Sequence, residues 1–198
     1  MHISEGVLSG PILLTGGIAT VVGLTIGLKK LNDDTLVRTG VLAATFFLAS
    51  LIHLPIGPSS IHLILSGLMG IMLGWAAFPA IFVGLLLQAL LFQFGGLTVL
   101  GVNTIVIGLP AVICGLVTRP LLKKSSNLML LFISFACGSM AILGSLALLY
   151  LALILSGSSL TIFARIFFFA NIILMLVEGT ITMLVLGFLK RMSVEITI

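Results

Sequence analysis

The first two residues, Met1 and His2, place three nitrogens within reach of one cation: the α-amino group, the His2 amide nitrogen and the His2 imidazole Nδ1. Together they close two fused chelate rings once the amide proton leaves. A metal that prefers a tetragonal nitrogen field drives that loss; Ni(II) and Cu(II) fit best and Co(II) is compatible. A square of nitrogens then lacks one donor, and two histidines remain in the chain to supply it, His53 and His62. Both flank "LPIGPSSI", whose Pro55, Gly57 and Pro58 keep them off a single helix. They therefore do not make the pair of facing intrahelical ligands that a haem bundle needs. Taken singly, a second-position histidine is ordinarily an exposed residue, His62 can be a helix-start residue and His53 can face headgroups. The metal reading gains weight only if all three come to one place.

The elements that must bring them there are apolar helices. The chain has 198 residues, 60% hydrophobic and 7% charged, with a mean hydropathy of +1.41; a soluble domain carries about 25% charged residues. This predicts an all-α, polytopic integral membrane protein, one transmembrane domain over residues 1–198. The net charge of +4 lies in short basic clusters between apolar runs, as in membrane loops, and does not point to nucleic acid. Cys114 and Cys137 both fall inside apolar stretches and read as packing residues. The opening "MHISEGVLSG" has no basic residue before its apolar run, so it is not expected to be a cleaved leader.

Hydropathy gives spans at Gly10–Leu28, Thr39–Leu54, Val102–Leu122, Leu128–Leu155 and Phe163–Leu189. Ile61 to Phe94 would make a helix about 51 Å long, too long for one crossing. Pro79 disfavours helix at Phe78, which predicts a division into Ile61–Trp75 and Pro79–Phe94. With seven spans and the amino terminus outside, Lys29, Lys30, Arg38, Arg119, Lys123, Lys124, Lys190 and Arg191 all lie inside and only Arg165 outside. Without the division the basic residues split almost evenly, so charge asymmetry favours seven spans, amino terminus out and carboxyl terminus in. That orientation places a tail of residues 1–9, the "HLPIGPSSIH" loop and the "FGGLTVLGVN" loop on the outer side, and with them every histidine and Asn103.

The opening "MHISEG", followed by "GPSSIHLILSGLMGIMLGWAAFPAIFVGLLLQALLFQFGGLTVLGVNT", resembles the CbiM/NikM family, the substrate-binding membrane components of energy-coupling-factor importers for cobalt and nickel. The resemblance covers nearly the whole chain. It implies that the mature terminus plugs into the protein, that the Met1 amine, the His2 amide and imidazole and the His62 imidazole hold Co²⁺ or Ni²⁺ as transported substrate, and that Asn103 and Ser60 orient those ligands. It further implies a separate transmembrane coupling subunit, ATPase subunits, a small accessory membrane subunit in some systems, the cytoplasmic membrane of a prokaryote, and a link to cobalamin biosynthesis on the cobalt branch. The nitrogen square leans to nickel; the "FPAIFVGLLLQALLFQFGG" wording is closer to the cobalt branch. Protons compete with metal for such donors, because a free amine titrates near ~7.7–8.0 and an imidazole near ~6.5. His53 has no counterpart in the motif and reads as interfacial. Where a histidine is expected in the last span the chain has Asn171, in "FANIILMLVEGTIT", while Glu178-Gly179 is kept.

Glu178 falls in the middle of the seventh span, where a charge costs about 2.5–3.5 kcal/mol on insertion scales. Asn171, Gln88 and Gln93 are the side chains considered as its partners. Ala19, Gly23 and Gly27 in the first span, and Ser66, Gly70 and Gly74 in the third, recur every four residues; such stripes serve close helix packing within the chain or docking to a coupling subunit. No G-x-x-x-x-G-K-[ST] segment is present, so no ATP site is expected in this chain, and no nucleophile–base arrangement marks it as an enzyme. Two other readings remain: a membrane metalloenzyme using His53 and His62 with Glu5 as the outer carboxylate, and a vitamin-binding importer component, poorly supported by one Trp and one Tyr.

Overall fold

A computed structural model describes residues 3–56, 59–157 and 161–192, with the side chains at 53–61 and 161–170 outside what is described. Seven α-helices and one hairpin make up the described residues. They are α1 (Gly10–Leu28), α2 (Asp33–Ser50), β1 (His53–Ile56), β2 (Ser59–His62), α3 (Ser66–Leu73), α4 (Ala77–Phe92), α5 (Leu100–Lys123), α6 (Asn127–Leu155) and α7 (Thr161–Arg191), with one 3-10 turn at Gly74–Ala76. Five stretches are long and apolar enough to cross a membrane: Gly10–Leu28, Ser66–Phe92, Leu100–Lys123, Asn127–Leu155 and Asn171–Arg191. The side chains of Leu14, Val37, Phe132, Ile173 and Phe188 are exposed on the outside of the bundle, the surface a helix presents to lipid. The chain is a multi-pass helical membrane protein.

Helix ends follow local chemistry. Asn32 caps α2: its Oδ1 accepts from the Thr35 N–H at 2.9 Å, while its own N–H donates to Thr35 Oγ1 at 2.7 Å. Ser126 caps α6, and Pro11 sits in the first turn of α1, where no intrahelical bond is lost.

The stretch from Ser66 to Phe92 is helical almost throughout but is not one rod. Along α3 the neighbours descend α5: Gly70 abuts Ala111, the Ile71 carbonyl accepts from Arg119 Nε at 2.8 Å, and Gly74 faces the Arg119 guanidinium. Along α4 the neighbours ascend α2: Gly84 faces Phe46, and Gln88 Nε2 donates to Ser50 Oγ at 2.6 Å. Since α1 and α2 are joined by a short loop and run antiparallel, α3 and α4 run in opposite directions. The reversal is made at Gly74, with φ 57° and ψ −124°, a conformation open to glycine.

Two sequence expectations are corrected here. The division falls at Gly74, not Pro79: Pro79 is the third residue of α4, inside the first turn, so its missing N–H costs no helix bond and Phe78 stays helical. The third span, expected as a helix over Ile61–Trp75, is half extended. Its first part is β2 and residues 63–65, and only Ser66–Leu73 is α-helical, about 12 Å long. Such irregular backbone is tolerated at membrane depth only when protein surrounds it. Here Ile64, Leu65, Leu68, Met69 and Ile71 are all buried, with α5, α6 and α7 packed around them.

The two stripes of small residues face the chain's own helices. A Cβ on Gly23 would meet the Phe78 ring at 2.5 Å, and one on Gly27 would meet Pro79 and the Trp75 carbonyl at 2.6 Å. Ser66 and Gly70 are buried, and Gly74 is closed by Arg119; Ala19 is half-buried on α1. These glycines pack against neighbours within the chain.

Candidate metal centre

The bundle has one basic end. Lys29 caps α1, Arg119 and Lys123 end α5, and Lys190 Nζ donates to the Ser125 carbonyl at 3.4 Å. The opposite end carries residues 3–9, the hairpin, and the 93–99 loop that leads into α5.

Residues 3–9 are held there by backbone pairing. The Ile3 N–H donates to Asn103 Oδ1 at 3.0 Å, and Asn103 Nδ2 donates back to the Ile3 carbonyl at 3.1 Å. Asn103 is 2% exposed and Ile3 5%, so this two-bond clamp is made in the dry interior, where each hydrogen bond is worth about 1 kcal/mol net and more if left half-made. The Glu5 N–H donates to the Gly95 carbonyl at 3.1 Å. Glu5 Oε1 accepts from both the N–H and the Oγ1 of Thr98, each at 3.0 Å. The Ser9 N–H reaches Ser156 Oγ at 3.2 Å, beyond the end of α6. Thr98 and Ser156 were not singled out from the sequence; a hydroxyl two residues after a Gly-Gly pair is the cue that "FGGLT" offered.

Thr98 holds the Glu5 carboxyl below the ordinary carboxylate range, chiefly through its backbone N–H and then its hydroxyl. A depressed folded-state pKa means that this contact contributes above the carboxylate's unfolded value and is lost as pH falls through the folded one. Protection of the Thr98 amide from hydrogen exchange, normalised for intrinsic rate, is therefore expected to drop on acidification in the natural chain. In Glu5→Gln, which keeps an acceptor oxygen but cannot titrate, protection should be independent of pH across that range.

His62 ends β2, is 2% exposed, and has Nδ1 3.0 Å from the Leu63 carbonyl. A carbonyl only accepts, so Nδ1 carries the proton in the neutral ring and Nε2 is the nitrogen with the lone pair, the state required of a metal ligand. In the hairpin, His53 lies directly opposite His62 in the register, a relation hidden from a reading that sought helical spacing. The His53 and Ser60 side chains lie outside the described ones, and Met1 and His2 lie outside the described residues.

Two residues after His62 the backbone meets Glu178. Its Oε1 accepts from the N–H of Ile64 and from the N–H of Leu65, the latter at 2.8 Å. None of the three side chains considered for Glu178 is this partner. Gln88 is engaged with Ser50, Gln93 is an exposed residue ending α4 with φ 58°, and Asn171, buried on α7, is two turns away. Glu178 is fully buried, and its Oε2 has no hydrogen-bond partner among the described residues. Leu65 adopts a left-handed conformation with φ 56°. That costs about 1–2 kcal/mol, comparable to the ~1.5–3 kcal/mol of a hydrogen bond to a charged acceptor.

A buried imidazole and an anchored segment, residues 3–9, thus lie at the non-basic end of a multi-pass helical membrane protein. The chain belongs to the CbiM family, described as the cobalt uptake substrate-specific transmembrane region, which it matches over residues 2–196. A Haemophilus influenzae protein named for metal transport is 45% identical over 158 residues, 79% of this chain and 77% of that protein. The fused nickel transport protein NikMN of Rhodobacter capsulatus is 38% identical over 109 residues, 52% of this chain and 31% of that longer protein. A crystal structure of a truncated transition metal transporter superposes with a TM-score of 0.76 at 27% identity, covering 96% of this chain and 99% of that one.

Proposed function

We propose that this chain captures Co²⁺ or Ni²⁺ at the non-basic end of the bundle for an energy-coupling-factor importer. The Met1 amine, the His2 amide nitrogen and imidazole, and the His62 imidazole are the donors, with Asn103 and Ser60 orienting them. Charge asymmetry supports an outer-facing site in the cytoplasmic membrane of a prokaryote, since the basic ends collect at the other face. The observation that carries the reading is the Asn103 clamp on Ile3: it fixes, in the interior and at the same end as His62, the residue that follows His2. An exposed tail would need no such anchor.

Hydrolysis of ATP, and the coupling of that energy to release of the ion inside, belong in this reading to separate coupling and ATPase subunits. The fused form of the nickel relative supports work alongside other subunits. A metalloenzyme built on His53, His62 and Glu5 is less well supported, because the Glu5 carboxylate is engaged by Thr98.

The test is calorimetric titration of the purified metal-free protein with Ni(II) and with Co(II), beside His62→Ala. Loss of one of the proposed donors is expected to weaken binding about a hundredfold or more, ~2.7 kcal/mol, for the metal that is transported. Equal affinity of the two proteins for both ions would remove His62 from the site and with it this reading.

A further inference from the structure

We propose that Glu178 positions His62 for metal binding: one carboxylate oxygen on α7 fixes the backbone two and three residues beyond the imidazole. The inference rests on the reading of His62 as a ligand.

The short path from Glu178 to the ring can be followed bond by bond. Oε1 gathers the N–H groups of Ile64 and Leu65. Ile64 follows Leu63, whose carbonyl lies 3.0 Å from His62 Nδ1 and so sets both the tautomer and the tilt of the ring. Moving residues 64–65 therefore moves the carbonyl that aims the imidazole. This stretch has few other means of holding its place. It is neither strand nor helix, since β2 ends at His62 and α3 begins at Ser66, and it contains the left-handed Leu65. In a buried segment without a ladder of its own, the carboxylate supplies the bonds that a sheet or helix would otherwise supply.

Among the described residues, the hydrogen bonds that Glu178 makes go to backbone N–H groups. Oε2 has no partner among the described residues, and no Lys or Arg side chain is hydrogen-bonded to Glu178 there. What the geometry uses is one acceptor atom at a fixed reach from α7. Gly179, the next residue, presses α7 against α6: a Cβ on it would meet Ser139 Oγ at 2.5 Å and the Phe135 carbonyl at 2.8 Å. The carboxylate is thus delivered from a helix that cannot shift to follow a shorter side chain.

That distinction sets the experiment. Ni(II) is titrated into the full chain, and the ligand-field band of the bound ion is recorded at saturating metal, for the natural protein, Glu178→Gln, Glu178→Asp and His62→Ala. Glu178→Gln keeps an acceptor oxygen at the same reach and is expected to bind within about threefold of the natural chain, with the same band. Glu178→Asp keeps the charge but withdraws the oxygen by one methylene; it is expected to bind at least about tenfold more weakly, with a shifted band, in the range seen for partners that orient metal ligands. The reverse order, Gln impaired and Asp normal, would assign the role to charge and overturn the proposal. So would an Asp variant that is less stable yet shows an unshifted band at saturation, since a merely structural residue leaves the coordination unchanged. His62→Ala separates the two layers: natural affinity in that variant sinks the metal-site reading itself, and the positioning role with it. A weakened His62→Ala beside an unaffected Glu178→Asp sinks only the role of Glu178.

Discussion

A chain whose Met1 amine is acylated is expected to bind Ni(II) or Co(II) about a thousandfold more weakly than the free-amine chain, ~4 kcal/mol. In the proposed site the amine closes one of two fused rings, and acylation turns it into an amide whose lone pair is delocalised. The second ring then loses its pre-organisation, because the His2 amide is deprotonated only when a metal is already held beside it. Asn103 should be indifferent to the modification, since it grips Ile3. The acylated chain therefore serves as a folded control for its own loss of binding, with the Thr98 amide protection as the check. An added residue ahead of Met1 is a different experiment. It moves His2 to the third position, where amine, two amides and imidazole complete a square from one segment, so residual binding of Ni(II) by that variant should no longer depend on His62. Intact-mass spectrometry of the natural chain establishes which amine is present, and a wild-type isotherm from the acylated protein defeats the site as drawn.

The second large effect is expected at Gly70. Its backbone and that of Gly115 touch: a Cβ on Gly70 would lie inside the Ala111 carbonyl, and one on Gly115 inside the Gly70 peptide. Neither neighbour is a flexible side-chain end, so the clash can be relieved only by moving α3 away from α5. Yet α3 is tied at one end to Glu178 and at the other to Arg119. Gly70→Val is expected to destabilise by about 3 kcal/mol, the upper part of the range for overpacked cores, lowering the midpoint of thermal unfolding in detergent by roughly 6–12 °C. Gly40→Ala is the control: Gly40 lies exposed on α2 with nothing within 4 Å of a new Cβ. It should be neutral or stabilising by up to about 1 kcal/mol, the difference in helix propensity. Equal midpoints for the two variants would contradict the packing described here.

Long uninterrupted apolar runs were legible. The sequence-based bounds of α1, α5 and α6 fall within two residues of the observed ones, since charged or capping residues close each run. Where the chain is apolar without punctuation, between Arg38 and Arg119, hydropathy could say that a turn was needed but not where. Pro79 attracted the assignment because proline disfavours helix before it, but a proline in a first turn costs nothing, and Gly74 took the reversal. The extended half of the third crossing was invisible for a related reason: Leu63, Ile64 and Leu65 are as apolar as any helix, and only the distant Glu178 makes their backbone affordable in that shape. At the site, the placement of His62 and Asn103 at one end followed from the spans, while their burial did not. The partner of Asn103 did not, because a backbone leaves no trace in residue type. The same holds for Glu178, whose partners were sought among side chains.

The short helix α3 carries a last consequence, for biosynthesis. Its eight residues leave the ribosome before the two groups that tie it down: Arg119, on the Ile71 carbonyl, arrives with α5, and Glu178, on the N–H groups just ahead of the helix, only with α7. Until then the N–H groups of Ile64 and Leu65, just ahead of the helix, lack the acceptor that Glu178 supplies. Residues 64 and 65 therefore gain the bonds that hold them only once α7 is in place.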